Sequence, residues 1–415
     1  MPKQERQLKR TEWAERHVEE FLSLPLISEF VFRSPQTLDR TQREVADLLV
    51  AHGDIGILVS QKCQEDPSSR DAAKTESWAR KEAKKAVSQL CGALRTASGK
   101  AIWCDHPRRG RVEFPDGLPK IDHGVVLIEV FQPVDLEPEA AVLPLHFQGT
   151  PISYLSVNDF LNLAVELRTT PELLEYLQAR RSLPAPDLRS IGDERSLFEF
   201  YLLNGGSLRG RASRAEARQV ASSRRDELRR RLAAKSDSDR YSKLLEHVAD
   251  QLATRNPHYA DGIPAAELAK FEPVSARAQY LEMQGVLANL RLPERAELGR
   301  AFHGVIDRLA RRDEGFVYMA AHLDSRPEWV VVFGCSKNLD RAVLLQRMGL
   351  LMPGAMAFFG KNRCLTILDR DGLGYEVGYG HMKSPPTSDE RRAGDQLFGH
   401  LRIVDRAVSL AAHVR

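Results

Sequence analysis

The sequence predicts a mixed α/β (α+β) protein, and three observations lead to this prediction. Two runs rich in Val, Ile and Leu flank the turn His52-Gly53-Asp54, which supplies the glycine and short polar residue that a strand hairpin needs. Apolar residues at helical spacing follow at 72–97 and through the middle of the chain. Near the C-terminus, short apolar runs alternate with helical patterns, which is typical of a small α/β domain.

The first elements follow in order along the chain. Residues 11–24 have the pattern of an amphipathic opening helix that carries Glu19 and Glu20. Residues 29–32 predict a short strand, the hairpin spans 44–62, and residues 125–131 predict a further buried strand. Between them, the helix at 72–97 has an apolar face, and its other face carries Lys81, Lys84, Lys85 and Gln89.

The hairpin places polar groups at its two open ends. Asp47 enters the first strand and Lys62 leaves the second. Because side chains alternate along a strand, Ser60 and Lys62 share one face, and pairing across the turn places Asp47 opposite them. We therefore expect a carboxylate and an ammonium to meet at one edge of an apolar hairpin.

This pattern resembles the core of the PD-(D/E)XK, or restriction-endonuclease-like, nuclease superfamily over roughly the first 135 residues. It is also similar to bacterial proteins in which a Glu-x-x-Asp-Leu-Leu hairpin precedes a basic helix containing tryptophan. The resemblance implies a site for Mg²⁺ or Mn²⁺ at Asp47, assisted by a first-helix glutamate, Glu20 or Glu19. It further implies that Lys62 positions the attacking water and that Gln89, on the helix over the site, positions substrate or water.

The chain departs from the family pattern at Ser60, which occupies the slot of the usual Asp or Glu. A neighbouring carboxylate or the Gln61 carbonyl would then complete the metal site, and Ser60 would coordinate at most through water. A structural alternative stays open. Asp47 and Lys62 could instead form a salt bridge at a sheet edge, contributing about 0 to 1 kcal/mol.

The rest of the chain predicts a helical middle region and a C-terminal α/β domain, with boundaries at 1–135, 136–253 and 254–415. Helices are expected at 156–167, 170–181 and 194–203, and a further strand at 142–147. Segment 209–235 has ten basic and three acidic residues, a net charge of +7. The candidates for holding a nucleic-acid backbone are Arg224, Arg225 and Arg229 of this segment, together with Lys81, Lys84 and Lys85. The alternative is a solvated helix whose arginines pair with acidic residues elsewhere.

We expect residues 236–239 to be flexible and helical patterns to resume at 241–252. The C-terminal domain follows. Its elements are helices at 275–290, 294–311 and 340–351 and strands at 316–321, 329–333, 364–368 and 375–377. The run Asp369 to Glu376 lacks the third acid and the length of a calcium loop, so it predicts a hairpin turn. Cys104-Asp105-His106 predicts loop residues, and Gly205-Gly206 predicts the end of a helix.

Composition limits the remaining possibilities. The chain has 415 residues, 42% of them hydrophobic, and a net charge of only +3, so nucleic-acid binding requires a local patch. Five scattered cysteines without a Cys-x-x-Cys pair argue against a disulfide framework and fit a reducing cytoplasm. We find no signal peptide, no run of about 18 apolar residues, and no dinucleotide, kinase or Gly-x-Ser-x-Gly signature.

Three functions are consistent with these features. The first is a metal-dependent nuclease that hydrolyses DNA or RNA, in a setting such as bacterial defence. The second is a nuclease-fold protein that has lost catalysis at Ser60 and only binds nucleic acid or protein. The third is a purely protein-binding role in a defence or secretion complex. The expected partners are nucleic acid and either a second copy of the chain, as a homodimer, or a protein partner in a defence complex.

Overall fold

The structure of the chain is a computed structural model. It describes residues 18, 20, 21, 23–40, 42–64, 71–97, 100–107, 110–118, 120–130, 143–184, 194–208, 214–255, 276–311, 315–323, 326–370 and 372–399. Most of the predicted opening helix and of the connector at 131–142 lies outside these residues.

After the end of the opening helix and a short 3₁₀ helix at Ser28–Phe30, the described residues of the first part of the chain form eight strands and five α-helices. The strands are β1 Val31–Thr37, β2 Leu48–His52, β3 Ile55–Cys63, β4 Ile102–His106, β5 Gly110–Phe114, β6 Ile121–Glu129, β7 His146–Phe147 and β8 Thr150–Leu155. The helices are α1 Ala72–Ala97, α2 Val157–Leu167, α3 Thr170–Arg180, α4 Glu194–Leu203 and α5 Arg214–Ser223.

From residue 225 onward, the described residues form five helices and four strands. The helices are α6 Arg225–Arg255, α7 Ala276–Asn289, α8 Leu292–Ala310, α9 Arg341–Phe359 and α10 Ser388–Phe398. The strands are β9 Gly315–Leu323, β10 Arg326–Lys337, β11 Arg363–Arg370 and β12 Tyr375–His381.

The first sheet is mixed, in the order β5-β4-β1-β2-β3-β6-β8-β7. Strands β1, β2 and β3 form an antiparallel meander, and β6 and β8 continue the sheet parallel to β3. One face packs under α1 through residues such as Leu58 and Val126. The opposite face, including Val59 and Val125, packs against α2, α3 and α4.

The chain forms two compact units, 1–233 and 234–415, whereas the sequence predicts three domains. The helices of the predicted middle region share one core with the first sheet: Phe160, Leu173 and Phe198 pack beside Val31 and Val59. Because their apolar faces need the sheet to cover them, these helices form a layer of the first unit.

Local signals at the helix ends are confirmed. The Ser156 hydroxyl accepts a hydrogen bond from the Asp159 N–H at 3.0 Å, and Thr169 caps α3 ahead of Pro171. The Gly206 N–H donates to the Tyr201 carbonyl at 3.0 Å, so the glycine pair ends α4 as expected.

The predicted flexible stretch at 236–239 is wrong, because α6 continues through it. Lys235 and Asp239 form a largely buried ion pair at 2.8 Å, one helical turn apart. Arg300 of α8 donates to Asp237 at 3.0 Å. These two contacts hold Ser and Asp residues, poor helix formers, in the helix.

Two strand regions differ from the sequence prediction. Cys104, Asp105 and His106 lie in β4, which pairs with β5 and extends the sheet beyond β1. Cys104 and His106 are buried while Asp105 is exposed, the alternation of a strand. The strand expected at 142–147 is short, β7, and the longer β8 begins beside Pro151.

The second sheet has the order β12-β11-β10-β9, in which only β10 and β11 are parallel. Helix α9, longer than predicted, joins these two strands and packs between the sheet and α10. A Cβ added at Gly394 would lie 2.6 Å from the Gly354 carbonyl oxygen, so the two helices require glycine where they cross. The run Asp369 to Glu376 is the expected hairpin turn, with Gly372 N–H donating to the Asp369 carboxylate.

Helix α9 is also the one helix among the described residues that is long and apolar enough to cross a membrane. About 61% of its apolar window is buried within the second unit. The interior of a globular unit therefore accounts for its composition.

A buried polar pair lies inside the first unit. His123 on β6 and Ser153 on β8 form a hydrogen bond of 2.8 Å, and both side chains are almost fully buried. Burial, reinforced by the positive charges of Arg180 and Arg181 and by His146, lowers the pKa of His123 to about 3.

We predict that His123 makes the first unit acid-sensitive. Below pH 6.5, the ordinary pKa of histidine, the unfolded chain binds a proton that the folded chain takes up only near pH 3, so stability falls as pH falls. His123 should contribute a slope of up to about 1.4 kcal/mol per pH unit between these values. Urea unfolding at several pH values should show a shallower slope in His123→Gln, and an equal slope in both proteins would contradict the prediction.

Candidate functional site

The candidate site lies where β3 extends beyond β2. The pairing of the two strands ends at Leu48 and Val59, but β3 continues to Cys63. Over this extension β3 pairs with β6, up to Glu129. One side of β3 is therefore not paired with β2 over its last four residues.

Asp47 occupies the point where the strands separate. The register places it opposite Ser60, as predicted, and its N–H donates to the Val59 carbonyl at 3.2 Å. Its carboxylate accepts a hydrogen bond from the Gln61 N–H at 2.6 Å. Asp47 thus satisfies a β3 donor that β2 no longer reaches.

A bulge in β1 supports this arrangement from the other side. The register of β1 against β4 shifts between Arg33 and Gln36. Within the bulge, Ser34 has a left-handed φ of 42° and donates its N–H to the Asp47 carbonyl at 3.0 Å. Bulges and non-glycine residues at positive φ are frequent beside functional sites, and nothing in the sequence pattern signals this one.

The structure brings Ser60 and Lys62 onto one face of β3, as expected. Both lie in the row of Leu58, under α1, and Ser60 is only 2% exposed. Lys62 is half-buried, and its ammonium makes no hydrogen bond or ion pair with any residue that the structure describes. The salt bridge between Asp47 and Lys62, the structural alternative, is therefore not formed.

Gln61 points to the opposite face of β3, where its side-chain amide contacts the Cys63 sulfur at 3.2 Å. Only its backbone touches Asp47. A carbonyl contribution to a metal site stays a prediction.

Of the two first-helix glutamates, only Glu20 is among the described residues, and it does not complete a preformed metal site. Glu20 is exposed on the last turns of the opening helix, and Glu19 lies outside the described residues. Across the part of the chain that the structure describes, no three His, Cys, Asp or Glu side chains converge as metal ligands. Asp47 is the one carboxylate that the described geometry places opposite Ser60.

Gln89 does not lie over the site. Its neighbour Leu90 packs on Gly124, which pairs with Leu58 of β3. Lys62 is four residues further along β3, about 13 Å at strand spacing. The Gln89 side chain is also exposed on the outer side of α1, so the predicted substrate-positioning role has no support from this placement.

The same spacing places Lys81 near the level of Lys62. Nine helical residues span about 13 Å, the distance from Leu90 to Lys81 along α1. Lys81 and Lys84 are exposed there and form no ion pair within the described ranges, whereas Lys85 pairs with Glu82 at 2.6 Å.

The arginines of the basic segment are largely paired within their own helix. Arg224 bonds Glu227 at 2.7 Å, and Arg229 contacts Asp226 at 3.4 Å. The hydrogen bonds from Arg224, with those from Arg231, hold the pKa of Glu227 below its usual range. Arg225 alone of the three predicted arginines is exposed with no ion pair among the described residues.

Glu129 lies beside the site but is not among the residues predicted for it. It ends β6 opposite Cys63, one position beyond Lys62, and is 3% exposed. An acid that directly follows a buried apolar strand is the sequence signal that marks this position. By strand alternation its side chain lies on the face opposite Lys62.

Comparison of the chain with protein-family models, curated proteins and solved structures returned no match.

We predict that Asp47 stabilises the first unit independently of any activity. Asp47→Ala removes the acceptor for the Gln61 N–H and should lower the free energy of unfolding by about 1–3 kcal/mol. Asp47→Asn keeps an acceptor oxygen and should lose less. Urea denaturation of both variants tests this, and equal stability of Asp47→Ala and the parent would show that the hydrogen bond contributes nothing.

Proposed function

We propose that the first unit is a metal-dependent nuclease with a restriction-endonuclease-like core, hydrolysing phosphodiester bonds of DNA or RNA in the cytoplasm. The order of its elements supports this: a three-strand meander, then α1, then β6 parallel to β3. A host-defence setting is an association with the superfamily and has no chemical basis in the site.

One observation carries the proposal. Lys62 is half-buried at the end of β3 and has no anionic partner among the described residues, although Asp47 lies near it on the neighbouring strand. A lysine without a counter-ion, beside a carboxylate that is held in place, suits binding of an anionic group such as a phosphodiester. We assign Lys62 the role of contacting a phosphate oxygen or orienting the attacking water.

The donor set fits a weakly held metal ion. Mg²⁺ commonly binds through one or two carboxylates together with substrate phosphate and water. Asp47 supplies one carboxylate, and Ser60 supplies at most a neutral oxygen through water. A bound Mg²⁺ or Mn²⁺ would activate water and neutralise charge on the phosphate.

The outer face of α1 would hold the nucleic-acid backbone. Lys81 and Lys84 lie at the level of the site and their charges are not neutralised by a described neighbour. Arg225 offers a further charge, whereas Lys85, Arg224 and Arg229 would first have to leave their intrahelical partners. Contacts of this kind read charge and not sequence.

The burial of Ser60 favours a second candidate. A neutral side chain, 2% exposed in the slot of the usual acid, fits a nuclease-fold protein that binds nucleic acid without cutting it. Creation of metal-dependent cleavage by Ser60→Glu, in a parent without it, would favour this candidate. A purely protein-binding role predicts no nucleic-acid affinity at all.

We predict that the protein cleaves single- or double-stranded DNA or RNA in Mg²⁺ or Mn²⁺ and does not cleave them in EDTA. The cleavage rate should fall by at least about 100-fold in each of the variants Asp47→Asn and Lys62→Met. The matched control is Lys120→Met, at the opposite end of the sheet with an 86% exposed side chain, which should retain full activity.

The outcomes separate the candidates. Cleavage that survives both site variants would place the chemistry elsewhere. Binding without cleavage in any metal would support the second candidate, and neither binding nor cleavage would support the third.

We further predict that Lys81→Ala and Lys84→Ala each reduce the salt dependence of nucleic-acid binding. The slope of log affinity against log salt should become shallower by about 0.7–0.9 for each lost phosphate contact. Lys85→Ala, on the same helix and with the same charge change, should have a smaller effect because Lys85 is paired with Glu82. If fluorescence anisotropy shows the same change in salt dependence for all three variants, the lysines contribute only to a general positive field, which would contradict specific phosphate contacts at Lys81 and Lys84.

A further inference from the structure

The edge strand β9 lacks the features by which edge strands usually avoid pairing with other chains. Such strands are commonly short, or carry charged residues, proline or bulges. The nine residues of β9, Gly-Phe-Val-Tyr-Met-Ala-Ala-His-Leu, contain no Asp, Glu, Lys, Arg or Pro. The sheet order ends at β9, which pairs with β10 on one side.

The other three edges in the two sheets differ from β9. The edge β5 carries Arg111 and Glu113, and β7 is only two residues long. The edge β12 carries Glu376, which is held in ion pairs with Arg341 and Arg370. An uncharged, nine-residue edge is therefore specific to β9.

The bulge in this hairpin does not disrupt β9. The register shift lies between Arg326 and Val330, at the start of β10. From Gly315 to His322 the pairing with β10 is regular. The regular part of β9 thus runs from Gly315 to His322, close to the whole strand.

The side chains of β9 are complementary to β9 itself. In an antiparallel pair centred on Met319, Val317 lies opposite Ala321 and Tyr318 lies opposite Ala320, so large residues face small ones. Phe316 lies opposite His322, an aromatic pair. Strand alternation is preserved, because each pair combines residues of the same face.

We propose that β9 is a self-association edge, at which two copies of this chain pair antiparallel about a two-fold axis through Met319. The two four-stranded sheets then form one continuous eight-stranded sheet. A second copy is the favoured occupant because it matches β9 in length, in absence of charge and in the large-to-small order of side chains. The proposal is independent of the nuclease activity.

The first test is the mass of the full chain in solution, measured by light scattering or sedimentation over a range of concentrations. A dimer is expected. Met319→Lys should raise the dimer dissociation constant by at least about tenfold, since charge on an edge strand opposes pairing. Leu350→Lys, the same type of change at an exposed position of α9, should remain dimeric.

A second test fixes the register and does not depend on the lysine variant folding. Oxidised Met319→Cys should cross-link two chains, because its two copies would face each other. Ala321→Cys should not, because its two copies would be about 13 Å apart, beyond the roughly 7 Å limit between disulfide Cα atoms. A monomeric parent, a dimer that Met319→Lys leaves intact, or cross-linking at 321 and not at 319 would each overturn the proposal.

Discussion

The unequal lengths of β2 and β3 determine the geometry of the candidate site. Beyond Leu48 and Val59, β3 continues against β6 and loses β2 as a partner. A strand N–H that loses its partner inside a sheet must be satisfied by another acceptor. The Asp47 carboxylate provides that acceptor for Gln61, so one aspartate both ends the pairing and presents a negative charge at the separation.

The same separation leaves the Lys62 ammonium without an anionic partner among the described residues. Its neighbour on β6, Ile128, is apolar and lies under α1, so no carboxylate faces it across that pair. Asp47 is engaged with the β3 backbone and does not form an ion pair with Lys62. A half-buried ammonium in this setting gains from an external anion, and the phosphodiester proposal rests on this physical point.

Local and short-range patterns predicted most of the first unit. The hairpin, its register, helix α1, the cap at Ser156 and the start of α3 at Thr170 all follow from strand alternation, helical periodicity, capping residues and proline. Features set by tertiary contacts were not predictable in this way. Helix α6 continues through 236–239 because Arg300 of another helix binds Asp237, and the β1 bulge at Ser34 depends on pairing with two strands.

The candidate site shows the same division. The positions of Asp47, Ser60 and Lys62 follow from the period of a strand, whereas the position of Gln89 depends on how α1 lies on the sheet. Leu90 packs on Gly124, which fixes Gln89 at the level of Leu58 and on the outer side of the helix. Pairing of Arg224 and Arg229 within their own helix likewise reduces the charge that the composition of 209–235 suggests.

A double-mutant cycle on nucleic-acid affinity tests the central claim, that Asp47 and Lys62 act on one phosphodiester group. Affinity would be measured for the parent, Asp47→Asn, Lys62→Met and the double variant, with Ca²⁺ or with EDTA. We expect a coupling energy of about 0.5–3 kcal/mol in Ca²⁺ and a smaller one in EDTA, because under the proposal Asp47 would act on the phosphate through a bound divalent ion and Lys62 would act on it directly. Additive effects in both conditions, or no effect of either variant, would contradict the account.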